Sequence, residues 1–243
     1  MFNLNKLLTL LIGLSFLFTP GIAFVQEETS TANITQEVAL DEDVQPENLG
    51  ISEPRILPDS PFYFFKEWNR EIQSFFAFNL IAKAQLKEKF ANEKLIELKK
   101  TVEQEKNREM IEKAIRNYQE GIEEVKMAAE KIRERVEENE EVGKFLDKFI
   151  QDQALHQRVL QKLEEQVPPE VFEKIKEARE NHLERLVEVM NKLQENKEQL
   201  QERLEKNLQE IQGGELREKT IQIRDRILEK IQKPETGPSL KTL

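Results

Sequence analysis

His156, His182 and 47 Asp and Glu side chains are the groups in this chain best suited to chemistry. His156 follows Asp152 by four residues, which on a helix brings both over one spot. Two ligands are too few for a closed metal site. Neither histidine sits in an H-E-x-x-H pattern, and neither has a Glu three residues before it, as a di-iron bundle needs. Each falls beside a leucine stripe, His156 near Leu160 and His182 near Leu183 and Leu186, where a packed core histidine is expected. The chain has no cysteine, which excludes disulfides, thiolate metal sites, cysteine nucleophiles and lipoprotein-type anchoring. No Gly-rich phosphate loop, nucleophile elbow or Ser/His/Asp arrangement occurs. Glu and Asp runs on amphipathic helices form solvated faces. No catalytic, cofactor-binding or metal-binding residue is assigned, no cofactor is expected, and the chain is expected not to be an enzyme.

The elements around these residues are helical. Among 243 residues, 35% are charged, only eight are Gly, and the net charge is −10. Glu, Lys, Gln, Leu, Ala and Arg dominate, as in long helices and coiled coils. The acidic balance argues against nucleic acid, whose phosphates need a basic surface.

The densest apolar stretch is Ile56 to Phe78. It holds the sole Trp, Trp68, together with Tyr63, Phe62, Phe64, Phe65, Phe75, Phe76 and Phe78. Large aromatic side chains bury the most area, so this cluster is expected to be the packing centre. The alternative is a ligand-binding groove. Phe62 and Phe64 lie off its main stripe and are the candidates for contact with a partner. Asp59-Ser60-Pro61 predicts a helix start, with Ile56 and Leu57 folding back as a staple. The helix is expected to run to about Ala77 and to bury Phe65, Trp68, Ile72 and Phe75/Phe76.

Upstream, residues 1–23 have the pattern of a secretory signal: Lys6, an apolar run from Leu7 to Phe18, and Gly21-Ile22-Ala23 as a cleavage site. The same segment can instead remain uncleaved as an anchor. Either way the remainder is expected to be exported. Residues 24–55 are acidic and rich in Ser, Thr, Asn and Pro, and predict a disordered linker. Asn33-Ile34-Thr35 fits a glycosylation pattern.

Downstream, apolar spacing predicts helices over about 80–104, 108–138, 140–166, 169–212 and 215–232. In the second of these, Ile111, Ile115, Tyr118, Ile122, Val125, Ala129, Ile132 and Val136 alternate spacings of four and three, a heptad seam. A turn is placed at Glu105–Asn107, where the stripe loses phase. Asn79 marks a restart, Asn139 a cap, and Pro168-Pro169 a boundary. The long helix from 169 carries Lys197 and Asn207 at seam positions, and Gly213-Gly214 reads as its C-cap. The fold class is therefore all-α: an antiparallel helical bundle over 56–193, a coiled-coil-like extension over 194–232, and a disordered tail over 233–243.

Leu57-Pro58-Asp59-Ser60-Pro61-Phe62-Tyr63, with Lys66 one turn on, resembles the opening motif L-P-D-S-P-x-Y-x-x-K of an uncharacterised secreted family of bacteria and archaea. Phe90-Ala91-Asn92-Glu93-Lys94-Leu95 is similar to the family's A-E-x-R-L segment, with Asn and Lys departing from it. Leu155 to Leu160, Val167-Pro168 and Glu177-Ala178 resemble its later helical hairpin. The likeness covers Leu57 to Leu193. It implies an exported helical domain with no known activity, in which Leu57, Pro58, Asp59, Ser60, Pro61, Tyr63 and Lys66 set the helix start.

The functional expectation is an exported, non-enzymatic helical module at the cell envelope that binds a protein partner or itself. The alternative is a periplasmic-type helical chaperone for unfolded clients. Contact with a membrane is expected only through an uncleaved N-terminal segment.

Overall fold

Four asparagines punctuate the chain. Asn79, Asn107, Asn139 and Asn196 each precede a helix and accept backbone N–H groups of its first turn on their side-chain oxygen. Asparagine suits this position because its short side chain satisfies donors that have no partner inside the helix. The computed structural model describes residues 44–136, 139–194, 196–209 and 214–232. Among these, the helices are α1 (Tyr63–Phe76), α2 (Leu80–Glu103), α3 (Arg108–Arg135), α4 (Glu140–Gln166), α5 (Pro169–Leu193), α6 (Lys197–Gln209) and α7 (Gly214–Gln232). No strand occurs among the described residues. The protein is an all-α helical bundle, as expected. The signal segment, the sequon, residues 24–43 and the tail from Lys233 lie outside the described residues.

The bundle is made of two hairpins. Within each, the helices are antiparallel: Lys87 of α2 meets Glu124 of α3 while Lys94 approaches Gly121, and Gln157 and Glu164 of α4 meet His182 and Arg179 of α5. Between the hairpins the pairings run the other way. Lys174, Arg185 and Lys192 of α5 pair in rising order with Glu112, Glu123 and Glu130 of α3. Thus α3 runs parallel to α5. The expected antiparallel bundle holds for consecutive helices and not for the contacts between hairpins. The reason is that α3 and α4, though consecutive, are not side-by-side neighbours; α3 packs on α5 and α2 on α4.

The core lies where these four helices face one another. The heptad seam of α3 is buried from Ile111 to Ile132, in one core with Leu95 and Leu98 of α2, Phe145, Phe149 and Leu160 of α4, and Leu183, Leu186 and Met190 of α5. Burying each such side chain contributes on the order of 1.5–3 kcal/mol. Gly121 allows a close approach of α2 and α3, since a Cβ there would stand 3.3 Å from Ala91 Cα.

Several expectations are corrected. Residues 44–55 are not part of a structureless linker. They form a 3₁₀ turn, Pro46–Leu49, closed by Gly50 at φ 65°. Val44, Leu49 and Ile51 are buried in the core, and Lys99 Nζ donates to Val44 O at 3.0 Å. The helix expected over 169–212 ends at Leu193, because Asn196 caps a new one. The segment beyond 193 does not project. Leu200, Leu204 and Leu208 of α6 are buried, α6 packs along α4, and Ile223, Ile227 and Ile231 of α7 are buried with α7 along α5. Asn207 fixes this register, donating to Asp147 Oδ1 at 2.7 Å and accepting from Gln151 Nε2 at 3.0 Å. Gly214 opens α7, and Gly213 lies outside the described residues. The turn at Glu105–Asn107 needs no glycine because Glu105 itself takes the left-handed conformation, φ 50°.

Candidate functional site

The residues of α1 divide into two faces at 100° per residue. Tyr63, Arg70 and Ser74 share one side and are buried. Phe64, Phe65, Trp68, Ile72, Phe75 and Phe76 share the other, an arc about 120° wide. The polar side faces the bundle and the aromatic side faces solvent.

The inner face is an electrostatic socket built around Glu97 of α2. Tyr63 Oη donates to Glu97 Oε2 at 2.6 Å. Lys66 Nζ and Arg70 Nη2 both reach Glu97 Oε1 at 2.6 Å. Arg70 also holds Glu93 Oε2 at 2.7 Å and pairs with Glu67. Asn117 of α3 donates to Tyr63 Oη at 3.2 Å. The Arg70 guanidinium and Lys87 lie over the Phe90 ring, at 5.7 and 5.9 Å from its centre, within cation–π range. Burial works against the Arg70 charge, but Glu97, Glu93 and Glu67 outweigh it and raise its pKa. Burial, then the Glu97 charge, pushes the Tyr63 hydroxyl far above its ordinary value. Burying paired charges with all their hydrogen bonds made is tolerable, whereas losing one partner is not.

The opening motif of residues 57–66 forms the rim of this socket. Leu57 is buried, Lys113 Nζ donates to Pro58 O at 2.7 Å, and Asp59 pairs with Lys106 at 2.9 Å. Ser60 Oγ accepts from Phe62 N at 3.2 Å, ahead of the helix; the N-cap is Phe62, with no side-chain cap. The helix therefore starts two residues later than expected, after Pro61. Tyr63 and Lys66 do more than mark a helix start, since both converge on Glu97.

The outer face overturns the expectation of an aromatic packing centre. Trp68 is 64% exposed, Phe75 73% and Phe78 85%, and Phe65 and Phe76 are exposed as well. Phe62 and Phe64, the candidates for partner contact, are exposed too, but they belong to a larger patch. The physical reason lies in α2. Its surface under α1 carries Glu93, Lys94 and Glu97, which cannot host aromatic rings without losing their own partners. Counting about 200 Å² per aromatic side chain, the exposed patch is on the order of 900 Å². The largest apolar patch on a monomer is usually about 300–600 Å².

A second polar feature is sealed inside the bundle. His156 is fully buried; its Nδ1 accepts from Tyr118 Oη at 3.1 Å and its Nε2 donates to Asn92 Oδ1 at 2.7 Å. Asn92 Nδ2 passes this on to Asp152 Oδ2 at 2.8 Å and to Leu49 O at 3.1 Å. His182 lies between Gln153 and Gln157, at 2.6 and 2.5 Å. Desolvation lowers the pKa of both rings, that of His182 to about 3. Both are neutral, with Nε2 carrying the proton. Glu88 is buried against Asp152, and desolvation followed by the Asp152 charge raises its carboxyl well above its ordinary range. Lys148 closes the group from the surface, 2.7 Å from Asp152 Oδ2.

Asp152 and His156 are thus brought together through Asn92, whose departure from the A-E-x-R-L segment was the signal present in the sequence. The histidines are core residues as expected, and each is a crosslink between helices. Among the described residues, no three His, Asp or Glu side chains are placed as metal ligands. One surface hollow of about 680 Å³ is lined by Asn139, Gly143, Asp147 and Arg203, and a second of about 90 Å³ by Leu80, Lys83, Met127 and Lys131. Neither includes a residue of the buried network. No helix among the described residues is long and apolar enough to cross a membrane.

No curated protein and no solved structure matches the chain. Over residues 55–170 the chain matches the family described as Domain of unknown function (DUF5667), consistent with an uncharacterised domain family and shorter than the expected span from Leu57 to Leu193.

Proposed function

We propose that this protein is an exported, non-enzymatic helical module that acts by contact at the cell envelope, with the outward face of α1 as its contact surface. The observation that carries this is the inverted docking of α1. A helix whose charged side is locked into the bundle presents six aromatic or aliphatic side chains to solvent, an arrangement that is unfavourable in water unless something covers it. The signal-like pattern of residues 1–23 supports export, and the acidic balance speaks against a nucleic-acid partner.

A photo-reactive amino acid at Phe64, with Lys144 as an exposed control on α4, tests the reading in the producing cell. A discrete adduct from position 64 alone is expected. Equal labelling from both positions, or none from position 64, would overturn it.

A chaperone reading draws on the same exposed rings, which suit weak binding of unfolded clients. The face is convex and one helix wide, which favours a flat or grooved partner over an unfolded chain. Suppression of client aggregation that survives Phe75→Ser and Phe76→Ser would place any chaperone activity elsewhere.

A further inference from the structure

Resting on the contact-module reading, we infer that the occupant of the aromatic face is a lipid bilayer surface. Helix α1 lies parallel to the membrane plane, with Phe64, Trp68, Phe75, Phe76 and Phe78 at the boundary between headgroups and acyl chains.

Four observations select lipid over a protein groove or a second copy. The first is shape. An apolar arc about 120° wide along 14 residues is the geometry of an interfacial helix. A bilayer receives a convex face without needing a complementary cleft. The second is residue type. The exposed side chains are predominantly Phe with one Trp, and rigid aromatic rings, Trp above all, prefer the headgroup boundary.

The third is local charge. The hollow beside the α1–α2 turn is bordered by Lys83 and Lys131, the exposed Met127, and Lys87 paired with Glu124 at 3.2 Å. Lys83 and Lys131 have no ion-pair partner among the described residues. This basic rim belongs to a protein of net charge −10, and it suits lipid phosphates.

The fourth is the reach of the chain. Val44, the first described residue, is docked on Lys99 near the end of α2. Residues 19–43 separate it from the apolar run Leu7–Phe18. Extended, such a segment spans roughly 80–90 Å, more than twice the length of α2, about 36 Å. A chain still held by Leu7–Phe18 can therefore lay α1 on the same bilayer. The inner-face socket keeps the aromatic side aimed outward throughout, since Tyr63, Lys66 and Arg70 are all fixed on Glu97.

Trp68 is the sole Trp, so its fluorescence reports on this face alone. The full chain would be mixed with vesicles of phosphatidylcholine with or without phosphatidylglycerol, some carrying brominated acyl chains. The expected result is a shift of Trp68 emission to shorter wavelength, quenching by the bromines, and tighter binding to the anionic vesicles. The Phe75→Ser/Phe76→Ser chain, with helicity checked by circular dichroism, should partition on the order of 100-fold more weakly. Lys83→Glu/Lys131→Glu should lose the anionic preference.

A Leu10→Asp/Leu11→Asp chain separates the apolar run from α1, and its Trp68 should still shift. Vesicle binding that leaves Trp68 emission unchanged would assign the membrane to the N-terminal segment and overturn the inference. An emission shift that follows protein concentration without lipid would make a second copy the occupant and overturn it too. If Trp68 ignores lipid but position 64 yields one protein adduct, the lipid assignment falls and the contact module stands. If both are silent, both fall.

Discussion

Tyr63 and Glu97 are 34 residues apart and joined by a hydrogen bond of 2.6 Å, with the phenol donating to a carboxylate that also holds Lys66 and Arg70. This relationship decides which side of α1 meets water. Replacing Tyr63 with Phe removes the hydrogen bond to Glu97 and the one accepted from Asn117, and should lower stability by about 1.5–3 kcal/mol. Replacing Glu97 with Ala leaves Lys66 without its carboxylate and takes one of three from Arg70, and should lower it by about 3–5 kcal/mol. Denaturant midpoints measure both, and faster proteolysis within α1 of the Glu97→Ala chain would show the helix detaching first.

The exposed rings and the core rings should behave oppositely. Phe75→Ser removes a side chain that is 73% exposed and should change stability by less than about 0.5 kcal/mol. Phe145→Ala removes one that is 1% exposed and should lose about 3–5 kcal/mol. Thermal unfolding of the two variants side by side checks this. A large loss from Phe75→Ser would mean that the aromatic cluster is a core after all.

The buried histidines make the fold sensitive to acid. His182 has its pKa lowered from 6.5 to about 3 by desolvation. Between those values the unfolded chain binds a proton that the native state refuses, so stability is complete above pH 6.5 and falls as pH drops. At pH 5 the loss should be about 2 kcal/mol relative to pH 7. The difference in pH dependence between wild type and His182→Gln isolates this residue, since all other groups cancel. Parallel curves from pH 7 to 4 would contradict it.

Glu88 has the opposite sign. Its native pKa is raised by burial and by Asp152, so the native state keeps a proton that the unfolded chain gives up, and stability is lost as pH rises through the native value. Glu88→Gln keeps a hydrogen-bonding group of similar shape without the charge. The variant should therefore gain on wild type as pH rises from 5 to 8. Urea titrations at the two pH values provide the comparison.

Gly121 tests a close helix contact. A Cβ there would stand 3.1 Å from Lys94 Cδ and 3.3 Å from Ala91 Cα. The lysine can move aside, but the backbone of a packed helix cannot. Gly121→Val should destabilise by about 1–3 kcal/mol, more than any gain in helix propensity returns. The same substitution at Gly143, whose neighbour is the flexible end of Arg203 at 3.4 Å, should be milder.

The extent of local helix was written in the sequence. Heptad spacing along 111–132, Pro168-Pro169 and the caps at Asn79 and Asn139 depend only on neighbouring residues, and these boundaries came out within one to three residues. Asn196 carried the same signal and went unread inside a long leucine seam, so one helix was expected where there are two. What only the tertiary structure decided is which side of each helix is covered. For α1 the apolar arc and the charged arc are equally legible in the sequence, and burial of the aromatic one is the natural expectation. Glu93 and Glu97 of α2 reverse that choice, because a buried carboxylate needs cations and donors more strongly than a ring needs cover. The same holds inside the bundle, where Asp152 and His156 meet only because Asn92 of another helix stands between them. Spacing along one helix cannot report a partner on another.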